Sequence, residues 1–189
     1  MSELHGVPLA PIRTFLADLG YPIDPSRLVE RPEQRLSTLC YLSVDGRLLM
    51  LKRRKEPFAG YWTAPGGKIR AGEDPREAVL REMREETHLT VHSPRLRAVC
   101  SEVGGPEYSW LLFIFTSSSY SGQLGTSDEG ELRWLELDRL STRRLPDVDR
   151  HIMGYVLEPS SPPWFIRVQY SADHQVETFA ARPLGAMVR

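Results

Sequence analysis

Cysteine is scarce: Cys40 and Cys100 are the only two in 189 residues. Both sit in apolar, strand-like runs, so they read as buried thiols of a reducing compartment, not as a disulfide framework. No apolar run approaches the ~18 residues of a membrane span. The opening MSELHGVPLAP has no basic segment leading into an apolar core. No signal peptide is therefore expected, and the cytoplasm is the expected compartment. Charge of one sign is missing too: 24 Lys and Arg stand against 25 Asp and Glu, a formal net charge of −1. That removes the global field that would recruit nucleic acid or an anionic membrane, and leaves small anionic ligands open. No DNA-binding module, internal repeat or low-complexity tract is visible. What remains is 41% hydrophobic and 26% charged, an ordinary globular composition that fits one domain with a small extension.

The pattern of apolar residues assigns the elements. Ile12, Phe15, Leu16 and Leu19 recur at one helical face that ends at Gly20. DPSRLVER offers an Asp-Pro start to a second short helix. This N-terminal stretch reads as a packed extension, a lid or a dimer contact. Asp45-Gly46 between apolar runs signals a hairpin. Pieces of Val91 to Val103, the apolar Ser109 to Thr116 and the alternating Glu131 to Leu137 read as strands. Asp147 to Leu157 reads as a helix, and WFIRVQYSADHQVETFAA as two strands around a polar turn. Ser117 to Gly130 reads as an exposed loop. Many strands with few helices predict an α+β fold, layered as an α/β/α sandwich around a mixed β-sheet.

The chemistry concentrates in GGKIRAGEDPREAVLREMREETHL, Gly66 to Leu89. Asp74-Pro75-Arg76-Glu77 is a helix start, with a capping Asp, Pro in the first turn and Glu three residues after the cap. Val79 and Met83 can face the core. Glu82, Glu85 and Glu86 share another face, where like charges repel. Such crowding suits a hard divalent cation, which takes oxygen ligands and substrate phosphates. The same acids also read as a solvated face paired with Arg76, Arg81 and Arg84. The basic run Lys52-Arg53-Arg54-Lys55 reads either as a solvated strand end or as a phosphate contact.

The spacing adds more. Gly67, five residues, Glu73, seven residues, Arg81-Glu82-Met83-Arg84-Glu85-Glu86, two residues, then Leu89 resembles the Nudix box. His88 stands where that pattern has glycine, at the helix end, so a left-handed conformation is expected there. The resemblance implies the Nudix fold, with the box as loop–helix–loop. It also implies hydrolysis of a nucleoside diphosphate linked to a group X, with Mg²⁺ or Mn²⁺ as cofactor. It assigns Glu82, Glu85 and Glu86 to the metal, helped by the Gly66 carbonyl. Gly67, Glu73 and Arg81 become structural members of the box, the last two as an ion pair.

Outside the box, LLMLKRRKEPFAGYWTAPGGK, SDEGELRW and LPDVD are similar to the MutT branch that hydrolyses oxidised purine nucleoside triphosphates, 8-oxo-dGTP among them. That likeness implies an extra catalytic glutamate at Glu129. It makes Thr63 and Asp147 candidate base contacts; Arg53 of the basic run and Lys68 complete the candidate substrate contacts. Asp147 also reads as a helix cap, and Trp62 and Trp134 as core. Leu145 stands where that branch has a stacking tryptophan, and Thr63 where it has an asparagine. The expected organisation is an extension over residues 1–36, a hydrolase domain over 37–182 and a tail over 183–189. The expected function is metal-dependent cleavage of a purine NTP or dNTP to monophosphate and pyrophosphate, by a monomer or homodimer. Dinucleoside polyphosphates and nucleotide sugars are the alternative substrates. A non-catalytic nucleotide sensor is the alternative role.

Overall fold

A computed structural model describes residues 2–104 and 108–188; Met1 and Arg189, at the outer ends of the extension and tail, lie outside the described residues. In chain order the elements begin with β1 (Glu3–Leu4), β2 (Val7–Pro8) and α1 (Ala10–Asp18). There follow β3 (Arg35–Val44), β4 (Arg47–Arg53), β5 (Trp62–Thr63) and α2 (Pro75–Thr87). Next are β6 (Thr90–His92), β7 (Arg95–Gly104), β8 (Tyr108–Ser117), β9 (Ser119–Ser121) and β10 (Gly130–Glu136). After a 3₁₀ stretch at Leu137–Thr142 come α3 (Asp147–Val156), β11 (Trp164–Tyr170) and β12 (Val176–Pro183), and a 3₁₀ turn at Leu184–Met187 follows.

One sheet carries the fold, in the order β10-β4-β3-β8-β7-β11-β12, with β5 against β4. It is mixed: β3 runs parallel to β8, and β7 parallel to β11. Alternation along each strand divides the core. Cys40, Leu42, Leu49, Val99, Phe113 and Phe115 face the side covered by α1 and α2. Tyr41, Leu48, Met50, Ala98, Cys100 and Ile114 face the side covered by α3. The result is the expected α/β/α sandwich. Cys40 and Cys100 are both buried free thiols, and burial pushes the Cys40 thiol up to about 12.

Two local expectations change. DPSRLVER makes a single 3₁₀ turn at Pro25–Arg27. Asp24 accepts a hydrogen bond from the Ser26 N–H, which closes that turn without starting an α-helix. The 117–130 loop is largely exposed, yet β9 within it pairs with β6.

The sheet is split between two of its strands. β3 and β4 pair only near their hairpin, Ser43 with Leu48 and Val44 with Arg47. Beyond that they part. The vacated edge of β3 is taken by the 65–69 segment: the Thr38 N–H donates to the Gly67 carbonyl at 2.8 Å and the Cys40 N–H to the Pro65 carbonyl at 2.9 Å. β4 instead pairs along its length with β10. The parted strands leave room for a cleft.

Helix α2 starts with the capping box expected of it: the Asp74 carboxylate accepts from the Glu77 N–H, and the Glu77 carboxylate from the Asp74 N–H. It ends at His88, left-handed at φ 64° and ψ 8°. The Gly125 N–H donates to the Thr87 carbonyl at 3.0 Å. A Cβ on Gly125 would fall 2.1 Å from the His88 ring, so the imidazole lies over bare backbone. A non-glycine residue in this conformation costs about 1–2 kcal/mol. His88→Gly is expected to raise unfolding stability by up to about 1 kcal/mol, part of the gain being offset by the freer unfolded chain. Denaturant titration checks it. Across the same core, Phe15 of α1 packs its ring 6.0 Å from that of Phe115 and under the Arg76 guanidinium. Phe15→Ala is expected to cost about 3–5 kcal/mol, read from the same titration.

Candidate active site

The cleft opens where β3 and β4 separate and holds about 850 Å³. Ser37 and Leu39 of β3, Leu51 and Arg53 of β4, and Thr63 of β5 line it from the sheet. The glycine turn and the α2 acids line it from the other side.

The turn is tight. Gly66 sits at φ 151°, and a Cβ there would lie 2.1 Å from the Thr38 carbonyl oxygen. At Gly67 a Cβ would lie 2.5 Å from the Glu82 carboxylate. Two bare α-carbons therefore let backbone press against β3 on one side and an acid on the other. The Gly66 N–H donates to Glu86 Oε2 at 2.9 Å. Glu86 is buried. Burial pushes its carboxyl up to about 8; the Gly66 N–H opposes the rise, and the charges of Glu129 and Glu82 add to it.

Arg81 binds the rest of the cluster. Its guanidinium meets Glu73 at 2.5 and 2.8 Å, Glu82 at 2.6 Å, Glu85 at 3.2 Å and the Lys68 carbonyl at 3.0 Å. The hydrogen bonds with Arg81 hold the Glu73 carboxyl below its usual range, and those with Glu73 hold Arg81 above its own. Glu85 is further gripped by Arg70 at 3.0 Å. Glu77, the other i, i+4 partner open to Arg81, turns back into the capping box instead.

Glu129 arrives from the opposite edge. Gly130, the next residue, would drive a Cβ to 2.0 Å from the Lys52 carbonyl. That close approach brings the start of β10 onto β4 and sets Glu129 on the cleft. Glu82, Glu85, Glu86 and Glu129 thus line one cavity with Gly66, Gly67, Arg53, Thr63 and Lys68. Among the described residues no three acidic, histidine or cysteine side chains are gathered as a ready-made metal cluster. Arg81 holds Glu82 and Glu85, and Arg70 holds Glu85, as ion pairs.

Asp147 lies elsewhere. It lines a separate cavity of about 330 Å³ and accepts a hydrogen bond from the Val176 N–H at 2.9 Å. Asp149, further along α3, faces the main cleft. Its Oδ1 accepts from the buried Tyr41 hydroxyl at 2.8 Å. Beside it is Glu102 of β7, which sequence reasoning passed over. Glu102 Oε2 accepts from the Tyr108 hydroxyl at 2.9 Å. Both carboxyls are buried, and burial pushes each up to about 7. The Tyr41 and Tyr108 hydrogen bonds oppose these rises, while the Asp149 charge adds to that of Glu102. Phe58, Tyr108, Trp110, Leu112, Pro146 and Val148 wall this end. Trp62 is buried in the core, and Trp134 is half-buried with its ring 5.5 Å from Tyr120. Leu145 is also a core residue.

Residues 33–156 match the NUDIX domain model. The chain is 35% identical over 126 residues to the uncharacterized Nudix hydrolase YvcI of Bacillus subtilis, covering 64% of this chain and 78% of that protein. It is 31% identical over 107 residues to the oxidized purine nucleoside triphosphate hydrolase of Danio rerio, covering 56% of this chain and 69% of that one. Among solved structures, the MutT protein of Bacillus halodurans superposes with a TM-score of 0.71 at 30% identity, over 78% of this chain and 97% of that one. A helix of acids laid against a double-glycine turn, in a sheet shared with MutT proteins, places the chain in the Nudix family of hydrolases.

Proposed function

We propose that the cleft hydrolyses a phosphoanhydride bond of a purine nucleoside triphosphate or deoxynucleoside triphosphate, releasing the monophosphate and pyrophosphate. The observation that carries this reading is the cleft's two-ended chemistry. Four glutamates and a glycine backbone crowd its middle, while its far end is an aromatic-walled floor with two buried acids. The names of the relatives bring oxidised purines into the substrate set.

The donors at Glu82, Glu85, Glu86 and Glu129 are all oxygens. Glu86 is destabilised as an anion by burial and by the charges beside it. That donor set fits Mg²⁺ or Mn²⁺, with the Gly66 carbonyl as a further ligand. A bound divalent cation supplies charge neutralisation at the phosphates and a more acidic water. The chain's own residues do the rest. Arg81 keeps Glu82 and Glu85 in place through the Glu73 pair. Carboxylates of the set take the proton of the attacking water. Arg53 and Lys68 meet the phosphates.

Asp149 and Glu102 would read the base, Asp149 taking the part that the sequence suggested for Asp147. Carboxyl oxygens accept hydrogen bonds from amino and imino groups, and a protonated carboxyl can also donate one. Thr63 stands at the same cleft.

The direct test incubates the chain with Mg²⁺ and a panel of ordinary and oxidised purine and pyrimidine triphosphates, dinucleoside polyphosphates and nucleotide sugars. Monophosphate and pyrophosphate are then assayed. Purine triphosphates are expected to be cleaved, and Glu86→Gln is expected to lose about 100-fold or more in kcat. Turnover of nothing in the panel, or a Glu86→Gln enzyme equal to the parent, would overturn the reading.

The buried acids also make a stability prediction. Unfolded carboxyls titrate near pH ~4, while folded Glu102 holds its proton to about 7. Unfolding therefore releases a proton between these values, so stability falls as pH rises through this window and levels off above it. Glu102→Gln removes that contribution. Its melting temperature is expected to fall less than the parent's between pH 5 and pH 8, Asp149 still contributing its own slope.

A further inference from the structure

The extension before β3 reaches the cleft. β1 and β2 pair Leu4 with Val7 and Glu3 with Pro8, leaving His5 and Gly6 as a two-residue turn. Both turn residues have positive φ, 48° and 75°. This is the geometry of a tight hairpin. The hairpin is held down: Leu4 and Leu9 are buried in the same cluster as Ile69, Val79 and Met83, and Val7 packs against it. The Leu9 N–H donates to the Ser2 carbonyl at 2.9 Å. His5, Gly6 and Val7 line the main cleft together with Lys68, Arg70 and Glu85.

The two ends of that cleft differ in charge. The Glu102 and Asp149 floor is buried, lies by residues of the α3-side cluster such as Leu112 and Val148, and disfavours an anion by desolvation. The hairpin belongs to the cluster on the α2 side and lines the cleft with Lys68 and Arg70, the cations that flank the box helix. One of them, Arg70, is bound to Glu85, while the Lys68 ammonium has no partner among the described residues. A nucleotide with its base on the acid floor and its scissile bond at the glutamates directs its remaining phosphates toward Lys68 and the hairpin.

We infer that the His5–Gly6 turn walls the subsite of the group cleaved from the nucleotide, so that the N-terminal hairpin admits an unsubstituted terminal phosphate or diphosphate and excludes a bulkier group. The inference rests on the reading of the cleft given under Proposed function. Because α1 and the hairpin share a core with the catalytic helix, the wall is fixed relative to the glutamates. It limits size by position, not by closing over the substrate.

His5→Gly tests it, since glycine keeps the positive φ and removes the ring. The ratio of kcat/KM for a dinucleoside polyphosphate over that for the matching nucleoside triphosphate is compared in parent and variant. The ratio is expected to rise about fivefold or more in His5→Gly. Affinity for the nucleoside monophosphate, which stays on the acid floor, is expected to be unchanged. Titration calorimetry with the triphosphate and the dinucleoside compound reads the same preference from binding alone. A parent that binds but does not cleave therefore counts against the hydrolase reading and still tests the wall. An unchanged ratio in a variant that melts with the parent, by turnover and by binding, overturns the inference. So does an equal change in monophosphate affinity.

Discussion

A contact with no room for a side chain holds the cleft together. The 66–67 backbone lies against β3 on one side and the α2 carboxylates on the other. A methyl group at Gly66 would collide with the Thr38 carbonyl, and one at Gly67 with Glu82. Because β3 and β4 part beyond Ser43, the turn can take the vacated edge and satisfy the β3 donors at residues 38 and 40. The same backbone then donates to Glu86. Sheet and turn are fixed to one another by peptide groups, and the turn's peptide N–H in turn fixes a helix carboxylate. The acids inherit that rigidity.

The second constraint is electrostatic. An exposed ion pair contributes little, because both partners are already well solvated and must give up side-chain freedom. Arg81 is different in geometry. Its side chain is only 17% exposed, and its planar fork engages Glu73 by two nitrogens while reaching Glu82, Glu85 and a backbone carbonyl. The arginine holds the like charges of α2 at fixed separations. It is also the reason those acids stand as ion pairs in this arrangement. A cation taking Glu82 would compete with a guanidinium already in place, so any metal affinity of this acid would be coupled to helix geometry through one residue.

Much of this was legible in the sequence, and the parts that were not have physical reasons. The capping box, the buried face of α2 and the left-handed His88 follow from local rules that act within a few residues. The alternating core follows from strand periodicity. The sequence favoured Asp147 over Asp149 by register alone, because both are near the α3 start and the docking of distant strands is not written in that stretch. The Val176 N–H claims Asp147, and Tyr41 of a distant strand claims Asp149. DPSRLVER carried the right start signal, but a cap sets only where a turn begins, not how far a helix runs. Glu102 did carry a signal: an acid at a buried register in the apolar run AVCSEVG breaks the strand's pattern. Such a break marks a partner or a ligand. The hairpin's place at the cleft had no signal at all, since nothing in MSELHGVPLAP specifies what lies across from it.

The cleft is therefore built as a gradient. At the acid floor, desolvation raises the cost of any further negative charge, and aromatic walls favour a flat, weakly charged group. In the middle, crowded carboxylates favour cations and the phosphates they carry. At the hairpin, Lys68 offers a positive charge that no other described residue pairs with. A nucleotide has the complementary order along its own length: a planar base, a sugar, then increasing negative charge. Reversing it would place phosphate oxygens against Glu102 and Asp149 and leave the Lys68 ammonium facing a neutral ring. Each mismatch costs desolvation without return. Under the proposed function, orientation would thus be set before any contact specific to a particular base is made.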